Sequence, residues 1–100
     1  MISVIPKIII LDGAVLKARR VLRARLVPLG YDVLPRTHRG QLPDVVIERY
    51  VREKGAVVVT TDRFLAFKTN GIYLDPEEVG KMNSRELATH IIKLISKKFT

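Results

Sequence analysis

The chain contains no cysteine. Disulfides, thiolate metal sites and cysteine nucleophiles are excluded together, so any metal must rest on oxygen or histidine donors. No apolar run approaches the roughly 20 residues needed to span a bilayer, and residues 1–6 are too short and uncharged for a signal peptide. The expectation is a soluble, unprocessed, cytoplasmic protein with no membrane partner. Acidic side chains are also scarce. Ten Asp and Glu stand against 18 Lys and Arg, a net charge of +8, which points to nucleic acid or another polyanion as partner; a merely solubilising basic surface is the alternative. Only two histidines occur, His38 and His90, too far apart in pattern to form a metal pair. Ser84 and Ser96 have no base nearby, and no glycine-rich phosphate loop is present.

What is there suits one compact α/β domain over residues 1–100. An apolar content of 47% is enough for a core, and no repeat, low-complexity tract or linker divides the chain. Lys7 to Leu11 is a short β-branched run of the kind buried on both faces of a parallel sheet. Ala14 to Leu29 has helical period, with Ala14, Val15, Ala18, Val21, Leu22, Leu26 and Leu29 on one side and Arg19, Arg20 and Arg23 on the other. Arg25 falls on the apolar side. Pro28 and Gly30 end that helix, and Tyr31 to Leu34 makes a second strand before a polar loop from Pro35 to Leu42.

A second helix starts near Pro43 and ends at Gly55, turning Val46, Ile47, Tyr50 and Val51 inward. Ala56 to Thr60 is the third strand and Gly71 to Leu74 the fourth, with a short helical turn over Arg63 to Lys68 between them. Asp75-Pro76-Glu77-Glu78 has the form of a helix N-terminus, and Ser84 is the expected cap of a last helix carrying Leu87, Ile91, Leu94 and Ile95 inward. This alternation predicts a small three-layer sandwich with a mostly parallel four-stranded sheet. Ligands of such sheets bind beyond the carboxyl ends of the strands, where the winding reverses.

Two phrases deliver acids to that edge: Ile8-Ile9-Ile10-Leu11-Asp12 and Val57-Val58-Val59-Thr60-Thr61-Asp62. Each acid has a structural explanation of its own. Asp12 before Gly13, Asp62 before a short helix and Asp75 before Pro76 all read as caps, and Asp44 as a first-turn acid. If strands one and three are neighbours, about 4.8 Å apart, Asp12 and Asp62 face each other and repel unless a divalent cation intervenes. Asp44 and Glu48, one helical turn apart, supply a further ligand or a water-positioning group. Carboxylates with water are the donor set of Mg²⁺ or Mn²⁺.

The order of elements, with Leu11-Asp12, Gly30-Tyr31-Asp32-Val33, Leu42-Pro43-Asp44 and Val59-Thr60-Thr61-Asp62-Arg63-Phe64, resembles a PIN-like ribonuclease domain, of the compact type related to VapC-type toxins. The likeness covers about residues 7 to 75; its most specific part is the Thr-Thr-Asp phrase and its weakest the lone Leu-Asp. It implies a metal-dependent endoribonuclease in which Asp12, Asp44 and Asp62 are catalytic, and in which clustered acids hold Mg²⁺ or Mn²⁺ to activate a water against an RNA phosphodiester. It also raises an antitoxin protein as a partner.

The chain departs from the pattern beside Phe64. There the flanking residues are Arg63 and Leu65 rather than a further acid, which leaves the cluster one ligand short unless Glu48 or Asp75 substitutes. A catalytically degenerate module that binds nucleic acid or an antitoxin is thus the second expectation. Arg36, His38 and Arg39 in the loop after strand two, with Arg63, are the expected phosphate contacts; the helix-one arginines read more readily as a solubilising face. Phe64, Leu65 and Phe67 suit either a homodimer seam or the core. A receiver-like phosphoacceptor is disfavoured, because it needs adjacent acids near strand one and a lysine ending a late strand.

Overall fold

In the computed structural model, which describes residues 5–37 and 40–100, the chain forms a four-stranded parallel sheet and five α-helices. The strands are β1 (Ile8–Asp12), β2 (Asp32–Leu34), β3 (Val57–Thr60) and β4 (Ile72–Tyr73), in the order β2-β1-β3-β4. All three pairings are parallel. The helices are α1 (Arg19–Leu26), α2 (Asp44–Lys54), α3 (Arg63–Thr69), α4 (Pro76–Lys81) and α5 (Ser84–Phe99). The winding therefore reverses between β1 and β3, and that places the two strands carrying the acid phrases side by side.

Strand alternation divides the core in two. Ile9, Leu11, Val57 and Val59 point to one face, where Leu22 and Leu26 of α1 and Leu87, Ala88, Ile91 and Ile95 of α5 cover them. Ile10 and Val58 point to the other, against Ile47 of α2 and Leu65 of α3. Burial of each such Leu or Ile contributes about 1.5–3 kcal/mol before conformational entropy is charged against it. Ile10, Leu11, Val58 and Val59 have 0% exposure, which is why both strands read as unbroken apolar runs rather than alternating ones.

The expected first helix is divided. Gly13–Ala18 and Val27–Leu29 are 3-10 turns on either side of α1. Pro28 accounts for the tightening at the far end, since it has no N–H to donate and closes the chain toward Gly30. The arginine face also differs from a simple solvated stripe. Arg19 is buried, with its Nη1 donating to the Arg36 carbonyl at 3.1 Å, while Arg23 pairs with Asp32 at 3.3 Å and also donates to the Val33 carbonyl. Arg25, out of phase in the sequence, reaches the Thr89 hydroxyl of α5 at 2.7 Å.

The cap of α5 is Asn83 rather than Ser84. Its Oδ1 accepts the Glu86 N–H at 2.8 Å while Glu86 Oε1 accepts the Asn83 N–H at 2.9 Å, a reciprocal box that satisfies two N–H groups at once. Ser84 lies one residue inside. Gly55 ends α2 in the left-handed conformation at φ 66°, as expected of a helix-terminating glycine. No helix among the described residues is long and apolar enough to cross a membrane.

Candidate functional site at the carboxyl edge of the sheet

Asp12 closes β1 and is only 5% exposed. It directly precedes the 3-10 turn, yet its carboxylate makes no capping bond there. Others serve those N–H groups: Gly13 donates to Gln41 Oε1 at 3.0 Å and Ala14 to Thr61 Oγ1 at 3.2 Å. Asp12 is thus released from local structural work. Its Oδ2 accepts the Thr60 hydroxyl at 2.8 Å, whereas Oδ1 is buried without a hydrogen-bond partner among the described residues. An orphaned buried acceptor costs about 1–3 kcal/mol, and more when it is charged.

Burial pushes the Asp12 carboxyl above its usual range. The Thr60 hydrogen bond pulls it back, and the charges of Asp44 and Asp62 push it up further. Asp44 and Asp62 are thus near enough for their charges to act on Asp12. The register nevertheless differs from a face-to-face pair. Asp12 lies opposite Thr60, so Asp62 stands two residues beyond the rung rather than across from Asp12.

Asp62 has taken the role of helix cap. Its Oδ1 accepts the Phe64 N–H at 2.9 Å and the Leu65 N–H at 3.2 Å. Its own N–H donates to Thr60 Oγ1 at 2.9 Å. The Thr60 hydroxyl is therefore a link between the acids, donating to the first and accepting from the backbone of the second. Asp75 likewise caps α4 through the Glu77 N–H at 2.8 Å. Asp44 is an exposed first-turn residue of α2, and Glu48 pairs with Lys68 at 3.4 Å.

Gly13 makes the sharp departure from β1 possible. It has φ +72°, and a Cβ there would lie 2.4 Å from Thr61 Oγ1; the left-handed backbone and the close hydroxyl both require glycine. Gly13, Gln41, Thr60 and Thr61 thus shape the site although sequence reasoning assigned them no part in it. The Thr-Thr-Asp phrase and the Asp-Gly step marked all but Gln41, which comes from a loop without periodicity.

The expected phosphate contacts separate. Arg36 is held by Asp32, with Nη2 to Oδ2 at 2.5 Å, and Asp32 also receives Arg23 at 3.3 Å. The two guanidiniums keep the Asp32 carboxyl below its usual range, Arg36 being the larger influence. Arg63 is exposed and lies over the Tyr73 ring at 5.2 Å. His38 and Arg39 lie outside the described residues. An open cleft of about 550 Å³ between α1 and the loop after β2 is lined by Lys17, Arg19, Arg20 and Thr37; the three aspartates are not among its lining residues. Leu65 is core, whereas Phe64 and Phe67 are 70% and 86% exposed.

Among the described residues, no group of three or more carboxylate, histidine or cysteine side chains is placed to enclose a metal ion. The donor chemistry still suits Mg²⁺ or Mn²⁺, since the unpartnered oxygen of Asp12 is a hard, anionic ligand. Mg²⁺ in particular keeps several waters and is commonly held through one or two carboxylates together with substrate phosphates. No protein-family model, curated protein or solved structure matches this chain.

Proposed function

We propose that the protein is a metal-dependent endoribonuclease of the PIN-like class, hydrolysing RNA phosphodiester bonds at the carboxyl edge of its sheet. The observation that carries the reading is the buried, unpartnered Oδ1 of Asp12 in the field of Asp44 and Asp62. A fold does not keep a desolvated carboxylate beside two others for stability, because each neighbour raises the cost of its charge. A cation supplies the missing partner.

In this reading Asp12 and Asp44 hold Mg²⁺ or Mn²⁺ directly, and Asp62 contributes the oxygen not used for capping. Glu48 joins only if it exchanges its ion pair with Lys68. When bound, the cation supplies Lewis-acid stabilisation of charge on the phosphate and a more acidic water. The chain's own part is orientation. Thr60 fixes the Asp12 carboxylate in one rotamer through Oδ2, leaving Oδ1 as the free ligand. Arg63 and the other surplus cations attract the RNA backbone and bring its phosphates to an edge that would otherwise repel them.

Incubation of the purified protein with single-stranded and structured RNA and Mn²⁺ tests this. Cleavage is expected, and it should disappear with a chelator or with Asp62→Asn, a change that keeps the helix cap. Cleavage indifferent to both would sink the assignment. A second reading, a PIN-like module that binds RNA or an antitoxin without cutting, is favoured by the lack of a three-ligand enclosure among the described residues and by Leu65, 1% exposed, beside Phe64. It predicts salt-sensitive RNA binding without a divalent-ion requirement, and Mn²⁺ binding measured by calorimetry would count against it.

A further inference from the structure

Helix α3 buries one face through Leu65, Ala66 and Thr69 and leaves the opposite one to solvent. On that outer face stand Phe64 and Phe67, 70% and 86% exposed. Three residues apart, they are neighbours on the helix surface. Among the described residues Leu29 and Val45 are also open, at 66% and 65%, but the two phenylalanines are the more exposed and lie side by side, and an exposed large apolar pair costs solubility without aiding the fold. Their surroundings hold cations, carboxylates and a further ring: Lys68 Nζ lies 5.2 Å from the Phe64 ring, Arg63, one residue before it, lies 5.2 Å from the Tyr73 ring, and Asp62 caps the same helix through the Phe64 N–H. The local acid Glu48 is compensated by Lys68 at 3.4 Å.

We infer that Phe64 and Phe67 form a stacking platform for the unpaired bases of a single-stranded polynucleotide. Every base has a flat face that an exposed ring can cover, whereas in a duplex those faces are consumed by neighbouring bases. Arg63 flanks the rings at a position suited to the backbone phosphates, Lys68 neutralises Glu48 beside them, and the net charge of +8 supplies the long-range attraction. A second copy of this chain is the competing occupant, and area and charge argue against it. Two phenylalanines offer at most about 500 Å², against about 800 Å² per partner in a specific interface, and two copies at +8 repel. Because Phe64 follows Asp62 by two residues, a stacked strand passes beside Asp62. The platform rests on the ribonuclease reading only for where a strand would be cut, not for whether it binds.

The test is fluorescence anisotropy in chelator with labelled oligouridylate and oligothymidylate of about 10 nucleotides, within the usual footprint of such surfaces, and with a duplex of the same length. Phe64→Ala and Phe67→Ala are each expected to weaken single-strand binding about tenfold, and duplex binding by less than about twofold. Phe64→Trp with Phe67→Trp should restore it, and Leu29→Ser, which removes an apolar residue 66% exposed near the amino edge, should leave it unchanged. Wild-type affinity in both alanine variants would overturn the platform. So would sedimentation showing a dimer that the alanine variants dissociate while RNA affinity stays unchanged. Cleavage assays with Asp62→Asn report separately on the nuclease, so either reading can fail without the other.

Discussion

Two junctions of this molecule begin alike and end differently. At each, a buried β-branched strand runs into an aspartate at the same sheet edge, followed by a helical segment. After β3, Asp62 bends outward and caps α3 with Oδ1. After β1, Asp12 stays inside, caps nothing and leaves Oδ1 unpartnered. The difference lies in who satisfies the helix-terminal N–H groups. At α3 Asp62 itself does so, whereas at the 3-10 turn Gln41 and Thr61 take that role. The acid with no capping duty carries the stronger functional signal, although its sequence phrase is the plainer of the two.

The sharpest way to break the comparison is activity. Asp12→Asn and Asp62→Asn should each lower Mn²⁺-dependent RNA cleavage by at least about 100-fold, measured as initial rates on one RNA. If Asp62→Asn is inactive and Asp12→Asn is not, the unpartnered oxygen is not the ligand proposed for it.

Next in size is the link between the junctions. Thr60→Val removes the donor to Asp12 and the acceptor of the Asp62 N–H, and should cost about 1–3 kcal/mol in urea denaturation; Thr60→Ser should recover most of it.

A smaller effect separates capping from catalysis at Asp62. Asp62→Ala should lose about 1 kcal/mol and Asp62→Asn only a few tenths.

Asp12→Asn should behave in the opposite sense, gaining about 1 kcal/mol at neutral pH, or about 4–8 °C in Tm for a chain of 100 residues. The sign follows from linkage. Native Asp12 titrates above its unfolded value of about 3.9, so the folded state holds the proton over a window in which the unfolded state has lost it. Stability therefore falls as pH rises through that window, and the full penalty is present above it. Asp32 works in reverse, because its lowered value contributes stability that is lost as pH falls. The informative quantity is accordingly the difference between wild type and Asp12→Asn across pH 3–8, the range that brackets carboxylate titration. A flat difference would remove the desolvated carboxylate from the argument.

Much of the fold was legible in the order of residues. The apolar runs of β1 and β3, Gly55, and Asp75 before Pro76 each carry a local signal strong enough to survive packing. The division of the first helix was less visible, because a 3-10 turn and an α-helix place Val15, Ala18 and Leu22 on nearly the same side. Asn83 and Ser84 are both good caps in adjacent positions, and the reciprocal bond with Glu86 decides between them. Arg19 and Arg23 read as a solvated stripe because nothing near them in sequence announces Asp32 or the Arg36 carbonyl. The places of Asp12, Asp44 and Asp62 at element ends were legible, but their different hydrogen-bonding states were not.

The sequence by itself determined that strands would deliver Asp12 and Asp62 to one edge, since β-branched runs and turn residues act over a few positions. It also determined the basic surplus and the absence of thiol chemistry. Only the tertiary structure decided that Asp12 would be buried with an oxygen unpaired and that Thr60 would bridge the acids. It decided too that Phe64 and Phe67 would stay in water while Leu65 between them entered the core. Those outcomes depend on groups far apart in the chain, such as Gln41 with Gly13 and Thr61 with Ala14. The free energy of a buried polar atom is set by whichever partner the fold brings within hydrogen-bond reach, and no local pattern records that partner.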